Sequence, residues 1–161
     1  MVAGNGNDGR RITVRQLLQH TSGLPDYTKV LGFLNNAKEF QANRFRTLTA
    51  PELVAMAMER GPSFEPGTDW QYSNTNYLLA AMIATRASGG QGWASLVEHR
   101  VIAPLGLRHT YIPGANPFLV GPHERVTVTG PDGRPIDLTE QSLQHTADSG
   151  VAGMPRDVAV I

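Results

Sequence analysis

The stretch from Thr75 to Ser88 constrains the fold of this chain more than any other segment. Its apolar residues Leu78, Leu79, Met82 and Ile83 recur three and four positions apart, which is the repeat of an α-helix. The pattern predicts a helix that is buried on most sides. Such a helix needs other elements packed around it, and the rest of the chain must supply them.

Two further helices are marked by capping boxes, in which a Thr and a Gln or Glu in the first turn satisfy each other's backbone N–H groups. Thr13 and Gln16 form the first pair and predict a helix over Thr13–His20. Thr49 and Glu52 form the second pair and predict the start of another helix. Both helices therefore have starts that the local sequence defines.

The remaining elements are shorter, and they follow from turn residues and alternation. They are a short helix at Ala37–Gln41, a helix at Gly92–His99, a β-hairpin of Arg125–Thr129 with Pro135–Leu138, a glycine-containing loop at Ser149–Pro155, and a helix starting near Asp157. We therefore predict a mainly α fold with a small β-hairpin. Residues 1–11 are expected to be a flexible lead-in, and residues 12–161 a partial domain truncated at both ends.

The composition excludes several classes of function. Lys and Arg together number 14, as do Asp and Glu, and the basic residues are scattered, so no nucleic-acid surface is expected. The chain has no cysteine, which excludes thiolate metal sites and a cysteine nucleophile. The longest apolar run, Tyr77–Thr85, is too short to span a bilayer, and the N-terminus lacks the basic and apolar regions of a signal peptide.

The five histidines do not form the pairs typical of zinc hydrolases. We interpret each of them as a surface or cap residue: His20, His99, His109, His123 and His145. The glycine-rich segment Gly89–Gly92 has no lysine after it, which favours a helix break over a phosphate-binding loop. We expect neither a metal nor a cofactor.

The segment Tyr72-Ser73-Asn74 is the first candidate for chemistry. By itself it is a weak signal, because a Ser or Asn just before a helix is commonly an N-cap. Other sequence blocks along the chain favour a catalytic role over a helix cap. The blocks Ile12–Leu24, Pro66–Thr68, Tyr72–Tyr77, Pro104–Leu107 with Thr110, and Ser149–Val151 occur in this order along the chain.

In these blocks the chain resembles the serine β-lactamase and penicillin-binding-protein family, class C type. The nearest likeness is to the secreted D-alanyl-D-alanine carboxypeptidases. The resemblance implies the helical lobe of the β-lactamase/transpeptidase-like α+β fold, with the central antiparallel sheet largely missing. It also implies a secreted or cell-envelope location, and a peptidoglycan stem peptide or a β-lactam as the partner of the full-length parent.

The resemblance assigns roles to four residues. Tyr72 would place its phenol oxygen beside the family's Ser/Lys pair and move a proton, either as a base or toward the leaving amine. Asn74 would hydrogen-bond the amide side chain of the substrate and fix the scissile carbonyl. Trp70 and Thr75 are candidates for lining the substrate cleft, with packing as the alternative for both.

The chain departs from the family pattern at the nucleophile. No serine is followed three residues later by lysine, since the residues three before Lys29 and Lys38 are Asp26 and Asn35. A Lys-Thr-Gly or His-x-Gly motif is also absent. We therefore expect this chain to be an internal fragment that does not hydrolyse peptides or β-lactams alone, because the nucleophile and both oxyanion donors are missing.

Three functional alternatives remain open at this point. The first is a fragment of a D-alanyl-D-alanine carboxypeptidase, and the second is a β-lactamase, esterase or amidase of the same family. The third is a non-catalytic binding or assembly module. A lobe without its partner would also expose apolar surface, so self-association is a further expectation.

Overall fold

The computed structural model describes residues 2–32, 36–130, 132–142, 146–148 and 150–159. Two compact units divide the chain: residues 1–31 with 48–91, and residues 32–47 with 92–161. The α-helices are α1 (Val14–Leu18), α2 (Ala37–Asn43), α3 (Ala50–Ala57), α4 (Thr75–Ala87), α5 (Trp93–Val97) and α6 (Pro155–Val158). The strands are β1 (Ala3–Gly4), β2 (Asn7–Asp8), β3 (Thr127–Thr129) and β4 (Pro135–Asp137).

In the first unit, α4 contacts both α1 and α3. The core between these helices contains Leu17, Leu53, Val54 and Leu78, all of which are buried. Both predicted capping boxes are present, with the threonine side chain and the Gln or Glu side chain each bound to the other residue's backbone N–H. Apolar burial therefore holds the three helices together, and local hydrogen bonds define where α1 and α3 begin.

Helix α4 confirms the position predicted from its apolar repeat, but its burial differs from the prediction. Leu78 and Leu79 are buried, whereas Ile83 is 42% exposed and Tyr77 is 39% exposed. The expectation that α4 is buried on most sides is therefore wrong at Tyr77 and Ile83. The contacts of α4 with α1 and α3 leave these two side chains partly exposed.

The first residues contain more structure than a lead-in requires. Strands β1 and β2 pair antiparallel, and a short 3₁₀ helix, Gly9–Arg11, follows them. Asn7 is buried, and its Nδ2 donates to the carbonyl of Gly4 at 3.0 Å and to that of Arg60 at 2.7 Å. A hydrogen bond to a residue 53 positions away is not visible in the local sequence. The boundary at residue 11 stays a prediction.

The second unit contains α2, α5, α6 and the predicted β-hairpin. Strands β3 and β4 pair antiparallel, with Val128 opposite Ile136. Helix α5 begins as expected and continues as a π-helix over Glu98–Ile102. Part of the predicted loop Ser149–Pro155 lies outside the described residues, as does His145.

Two carboxylates hold loops of the second unit in place. Asp157 accepts hydrogen bonds from the His109 N–H at 2.7 Å and the Thr110 hydroxyl at 3.0 Å. Burial opposes ionisation of Asp157, but these two bonds together with the charges of His109 and Arg156 outweigh it and lower its pKa. Hydrogen bonds from Thr139, with the cation of Arg125, lower the pKa of Asp137 to about 2.

The secondary structure confirms the predicted fold class, a mainly α chain with a small β-hairpin. The described sheets have two strands each, so the larger antiparallel sheet of the expected fold is not present in the described residues. Among the helices that the structure describes, none is long and apolar enough to cross a membrane.

Candidate active site

The candidate site lies at the start of α4, where the chain passes through Tyr72, Ser73 and Asn74. Tyr72 is 52% exposed, and its hydroxyl donates a hydrogen bond to Asn74 Oδ1 at 3.0 Å. The two predicted catalytic side chains are therefore in direct contact. The contact places a phenol O–H and an amide next to each other at the surface of the first unit.

The Asn74 amide is held on its other side by a carboxylate. Asn74 Nδ2 donates to Asp26 Oδ2 at 3.1 Å and lies 3.4 Å from Asp26 Oδ1. Asn74 occupies the N-cap position of α4, but its side chain makes no capping hydrogen bond. The alternative that Asn74 serves as a helix cap is therefore wrong, because the amide bonds to Asp26 and Tyr72.

The start of α4 is anchored by hydroxyl groups that bond to a distant backbone segment. Ser73 Oγ donates to the Pro25 carbonyl at 3.2 Å, and Thr75 Oγ1 donates to the same oxygen at 2.7 Å. Thr75 Oγ1 also accepts from the Tyr27 N–H at 3.1 Å. Ser73 thus bonds to the Pro25 carbonyl and does not cap α4. Because Thr75 is fully buried and its hydroxyl is used twice, the structure favours packing over cleft lining for this residue.

The His20 ring lies next to the exposed aromatic residues of the site. Its ring centroid is 4.5 Å from that of Tyr72, 5.5 Å from that of Tyr77 and 6.3 Å from that of Trp70. Its backbone φ is +57°, a left-handed conformation in which His is more common than bulky residues. The interpretation of His20 as a cap residue is confirmed, because this conformation ends α1 and the His20 N–H bonds to the Leu17 carbonyl. Its ring contacts were not predicted from the sequence.

Hydrogen bonds define the orientation of the His20 ring. Nδ1 accepts from the Ser73 backbone N–H at 3.3 Å and lies 3.1 Å from Asn76 Nδ2. A backbone N–H can only donate, so Nδ1 carries the lone pair here and the ring proton belongs on Nε2. Nothing in the spacing of His20 predicts this role; the only signal is its place inside the block Ile12–Leu24.

A buried polar pair completes the anchor. Ser22 Oγ donates to Asn76 Oδ1 at 2.5 Å and accepts from the Leu24 N–H at 3.2 Å. Ser22 is 1% exposed and Asn76 is 0% exposed. Buried amides and hydroxyls are tolerated only when they are bonded, so this pair favours one arrangement of residues 20–24 against α4.

Trp70 is the most exposed aromatic residue of the site, at 61%. Its ring meets His20 edge to face, which leaves most of its surface open to solvent. The exposure is compatible with its predicted contact to substrate, and that contact stays a prediction.

The site can orient an amide and move a proton, but it does not contain the family's nucleophile pair. Ser22 and Ser73, the serines closest in sequence to its residues, are 1% exposed and hydrogen-bonded, so neither is presented to a ligand. Lys29 and Lys38 are exposed, and neither follows a serine by three positions. In the described residues, no group of His, Cys, Asp and Glu could hold a metal ion.

The sequence and the fold can be compared with known proteins. The Beta-lactamase family model matches residues 3–161. Penicillin-binding protein 4* of Bacillus subtilis (strain 168) is 38% identical over 105 residues, which are 63% of this chain and 21% of that protein.

Two solved structures, of an amidohydrolase and of an amidase, are also similar. A D-stereospecific amidohydrolase from Streptomyces sp. matches with a TM-score of 0.91 and 36% identity, covering 99% of this chain and 48% of that one. The D-amino acid amidase of Ochrobactrum anthropi SV3, complexed with D-phenylalanine, matches with a TM-score of 0.72 and 27% identity, covering 92% of this chain and 42% of that one.

The chain spans about a fifth of the length of penicillin-binding protein 4* and about half of the Streptomyces structure. The resemblance seen in the sequence motifs is confirmed, because the family match extends over nearly the whole chain and the fold agrees with solved structures. The chain belongs to the beta-lactamase family.

Proposed function

We propose that this chain forms the Tyr-x-Asn wall of the cleft of a serine hydrolase that cleaves an amide bond at a D-amino acid residue. Within that class we propose a D-alanyl-D-alanine carboxypeptidase acting on peptidoglycan stem peptides and acylated by penicillins. The observation that carries the proposal is the exposed Tyr72 hydroxyl, 3.0 Å from an Asn74 side chain that does not cap its helix.

The chemistry of the two side chains suits amide cleavage. Hydrolysis through an acyl-enzyme requires a proton to reach the leaving nitrogen as the C–N bond breaks. The Tyr72 phenol carries a proton and holds it in a hydrogen bond that an incoming ligand can exchange. Asn74 offers an amide that can bond the substrate backbone and align the scissile carbonyl. The serine nucleophile, its lysine and the oxyanion donors would belong to other parts of the parent protein.

A second candidate is a D-amino acid amidase or D-aminopeptidase. It is favoured by the Streptomyces D-stereospecific amidohydrolase, whose structure matches 99% of this chain. Both candidates use an acyl-enzyme and both act on D-configured residues, so they would share Tyr72 and Asn74. A carboxypeptidase cleaves the bond between the two D-alanines at the end of a stem peptide. An amidase cleaves the amide of a D-amino acid amide, and an aminopeptidase cleaves the bond after an N-terminal D-residue.

The proposal also defines partners and location. A stem peptide or a β-lactam would occupy the cleft, and the parent protein would act in the cell envelope or outside the cell. Self-association of the isolated chain stays a prediction that size-exclusion chromatography tests, with a clean monomer as the contrary result. The alternative of a non-catalytic assembly module requires that the gene product which contains this chain be inert toward all of these substrates.

The first test compares two tyrosines in that gene product. Tyr72→Phe is expected to lower the rate of acylation by a fluorescent penicillin about 100- to 10,000-fold, because proton transfer through the phenol is lost. Tyr77→Phe is the matched control, since Tyr77 also packs on His20 and is 39% exposed. Its variant should retain near-normal acylation.

The outcomes separate the alternatives. Near-normal acylation of Tyr72→Phe would contradict the role of Tyr72. A wild-type protein that is neither labelled by penicillin nor active on either D-amino acid substrate would favour the assembly module. Release of D-alanine from a D-alanyl-D-alanine peptide, compared with hydrolysis of D-phenylalanine amide, distinguishes the first two candidates. The 161-residue chain alone should remain unlabelled, because none of its serines precedes a lysine at the required spacing.

A further inference from the structure

We infer that Asp26 is a positioning residue of this site, which holds the Asn74 amide with Nδ2 turned inward and Oδ1 turned toward Tyr72. The inference deepens the proposed function and rests on it for its catalytic consequence. Asp26 lies 48 positions from Asn74 in the sequence and belongs to none of the motifs that suggested the site.

Asp26 is built into the fold in two ways. It is 8% exposed, and its Oδ1 accepts from the Thr28 N–H at 3.0 Å, which caps the 3₁₀ helix Tyr27–Lys29. Its Oδ2 accepts from Asn74 Nδ2 at 3.1 Å. The cap keeps the carboxylate in place, so the second oxygen meets Asn74 at a defined position.

A carboxylate selects one orientation of the facing amide. An ionised carboxylate only accepts hydrogen bonds, so the side of the Asn74 amide that faces it must be the NH₂ group. The reverse orientation would place Oδ1 against two carboxylate oxygens, which is repulsive, and leave NH₂ toward Tyr72. Asp26 therefore decides that an acceptor oxygen faces the Tyr72 hydroxyl.

This orientation has a chemical consequence. With Oδ1 facing Tyr72, the phenol donates its proton into a defined hydrogen bond, and any donor that replaces it must come from the ligand or from another part of the site. Without Asp26, the amide can rotate and present NH₂ to the phenol oxygen. The Asn74 amide would then populate two orientations, and only one of them would hold Tyr72 in the geometry for proton transfer. The rate of acylation would fall as a result.

Asp26→Ser separates positioning from capping. Serine is also a good N-cap and can still bond the Thr28 N–H, but it is too short to replace the contact with Asn74. Asp8→Ser is a matched control, because Asp8 caps another short 3₁₀ helix, Gly9–Arg11, by accepting from the Arg10 N–H. Both variants keep a capped 3₁₀ helix, and only one loses the bond to Asn74.

The direct readout is the side-chain NH₂ resonance of Asn74 in the ¹⁵N-asparagine-labelled gene product, assigned by its loss in Asn74→Ala. Asp26→Ser should move this resonance, because a carboxylate acceptor is removed, and Asp8→Ser should leave it unchanged. Acylation by fluorescent penicillin should fall about threefold to tenfold in Asp26→Ser, the effect of one hydrogen bond. In an Asn74→Ala background the same substitution should have no further effect on acylation.

Two results would overturn the inference. An Asn74 resonance unchanged in Asp26→Ser would show that the carboxylate does not hold the amide. An equal loss of acylation in the Asn74→Ala background would show that Asp26 acts through the fold alone. A wild-type protein that is never acylated, with an Asn74 resonance that still moves, would refute the proposed function and leave the positioning role intact.

Discussion

The starts of α1 and α3 differ from the start of α4 in how their backbone groups are satisfied. In α1 and α3, the N-cap threonine and a Gln or Glu in the first turn bond to each other's N–H groups. In α4 the N-cap residue, Asn74, makes no such bond, and the helix start is tied to residues about 50 positions earlier.

The difference teaches where a functional side chain can be placed. An N-cap side chain uses a polar atom to satisfy its own helix. Because Ser73, Thr75 and Asn76 anchor the start of α4 to residues 20–27, Asn74 is free to bond Asp26 and Tyr72. The long-range hydrogen bonds thus fix the start of α4, as the capping boxes fix the starts of α1 and α3.

Breaking the long-range anchor should have the largest effect on stability. Asn76→Ala removes the acceptor of the buried Ser22 hydroxyl and a contact to His20. We expect a loss of about 1–3 kcal/mol in the free energy of unfolding, the cost of leaving a buried polar group without a partner. Urea denaturation followed by circular dichroism measures it.

Asn43→Ala is the control for that variant, since the Asn43 amide donates to the Glu39 carbonyl within α2, where it is exposed to solvent. It should change the unfolding free energy much less. Equal losses of unfolding free energy in Asn76→Ala and Asn43→Ala would mean that the buried Ser22–Asn76 bond stabilises the fold no more than an exposed one.

Breaking a local cap should have a smaller effect, confined to its own helix. Thr49→Ala removes the hydroxyl that accepts from the Glu52 N–H at the start of α3. We expect a loss of about 1 kcal/mol in the free energy of unfolding and no change in acylation of the gene product. Acylation that fell as strongly as in Tyr72→Phe would contradict the separation between local caps and the site.

The two capping boxes should also respond differently to acid. We expect this effect on helix stability to be smaller than those of Asn76→Ala and Thr49→Ala. Hydrogen bonds from the Thr49 N–H and hydroxyl lower the pKa of Glu52 from its usual 4.5, whereas Gln16 has no charge to lose. A lowered pKa in the folded chain stabilises it above pH 4.5, and this contribution disappears as the pH falls below that value. The start of α3 should therefore fray in acid before that of α1.

Hydrogen exchange of the Thr49 and Glu52 backbone amides, compared with those of Thr13 and Gln16, measures that fraying, because these are the N–H groups that the capping boxes hold. Glu52→Gln should make the exchange at the start of α3 independent of pH in this range, once the intrinsic exchange rates are corrected. If the wild-type chain and Glu52→Gln respond alike, the Glu52 carboxylate is not the cause.

Much of the secondary structure could be predicted from the sequence, because the signals are local. Capping boxes, an apolar repeat and a turn between alternating segments involve residues a few positions apart, and α1, α3, α4 and the hairpin follow from them. The motifs in their order were also enough to indicate the family. Tyr72 and Asn74 entered the site by that resemblance. The structure places them in contact, and their catalytic roles stay a prediction.

The sequence by itself determined where α1 and α3 start and which family the chain belongs to. Only the tertiary structure decided how Asn74 is used, that Asp26 faces it, that His20 supports Tyr72, and that Thr75 is buried. The physical reason is distance along the chain. These hydrogen bonds and ring contacts join residues 48 to 56 positions apart, so they exist only once the segment 20–27 packs against the start of α4.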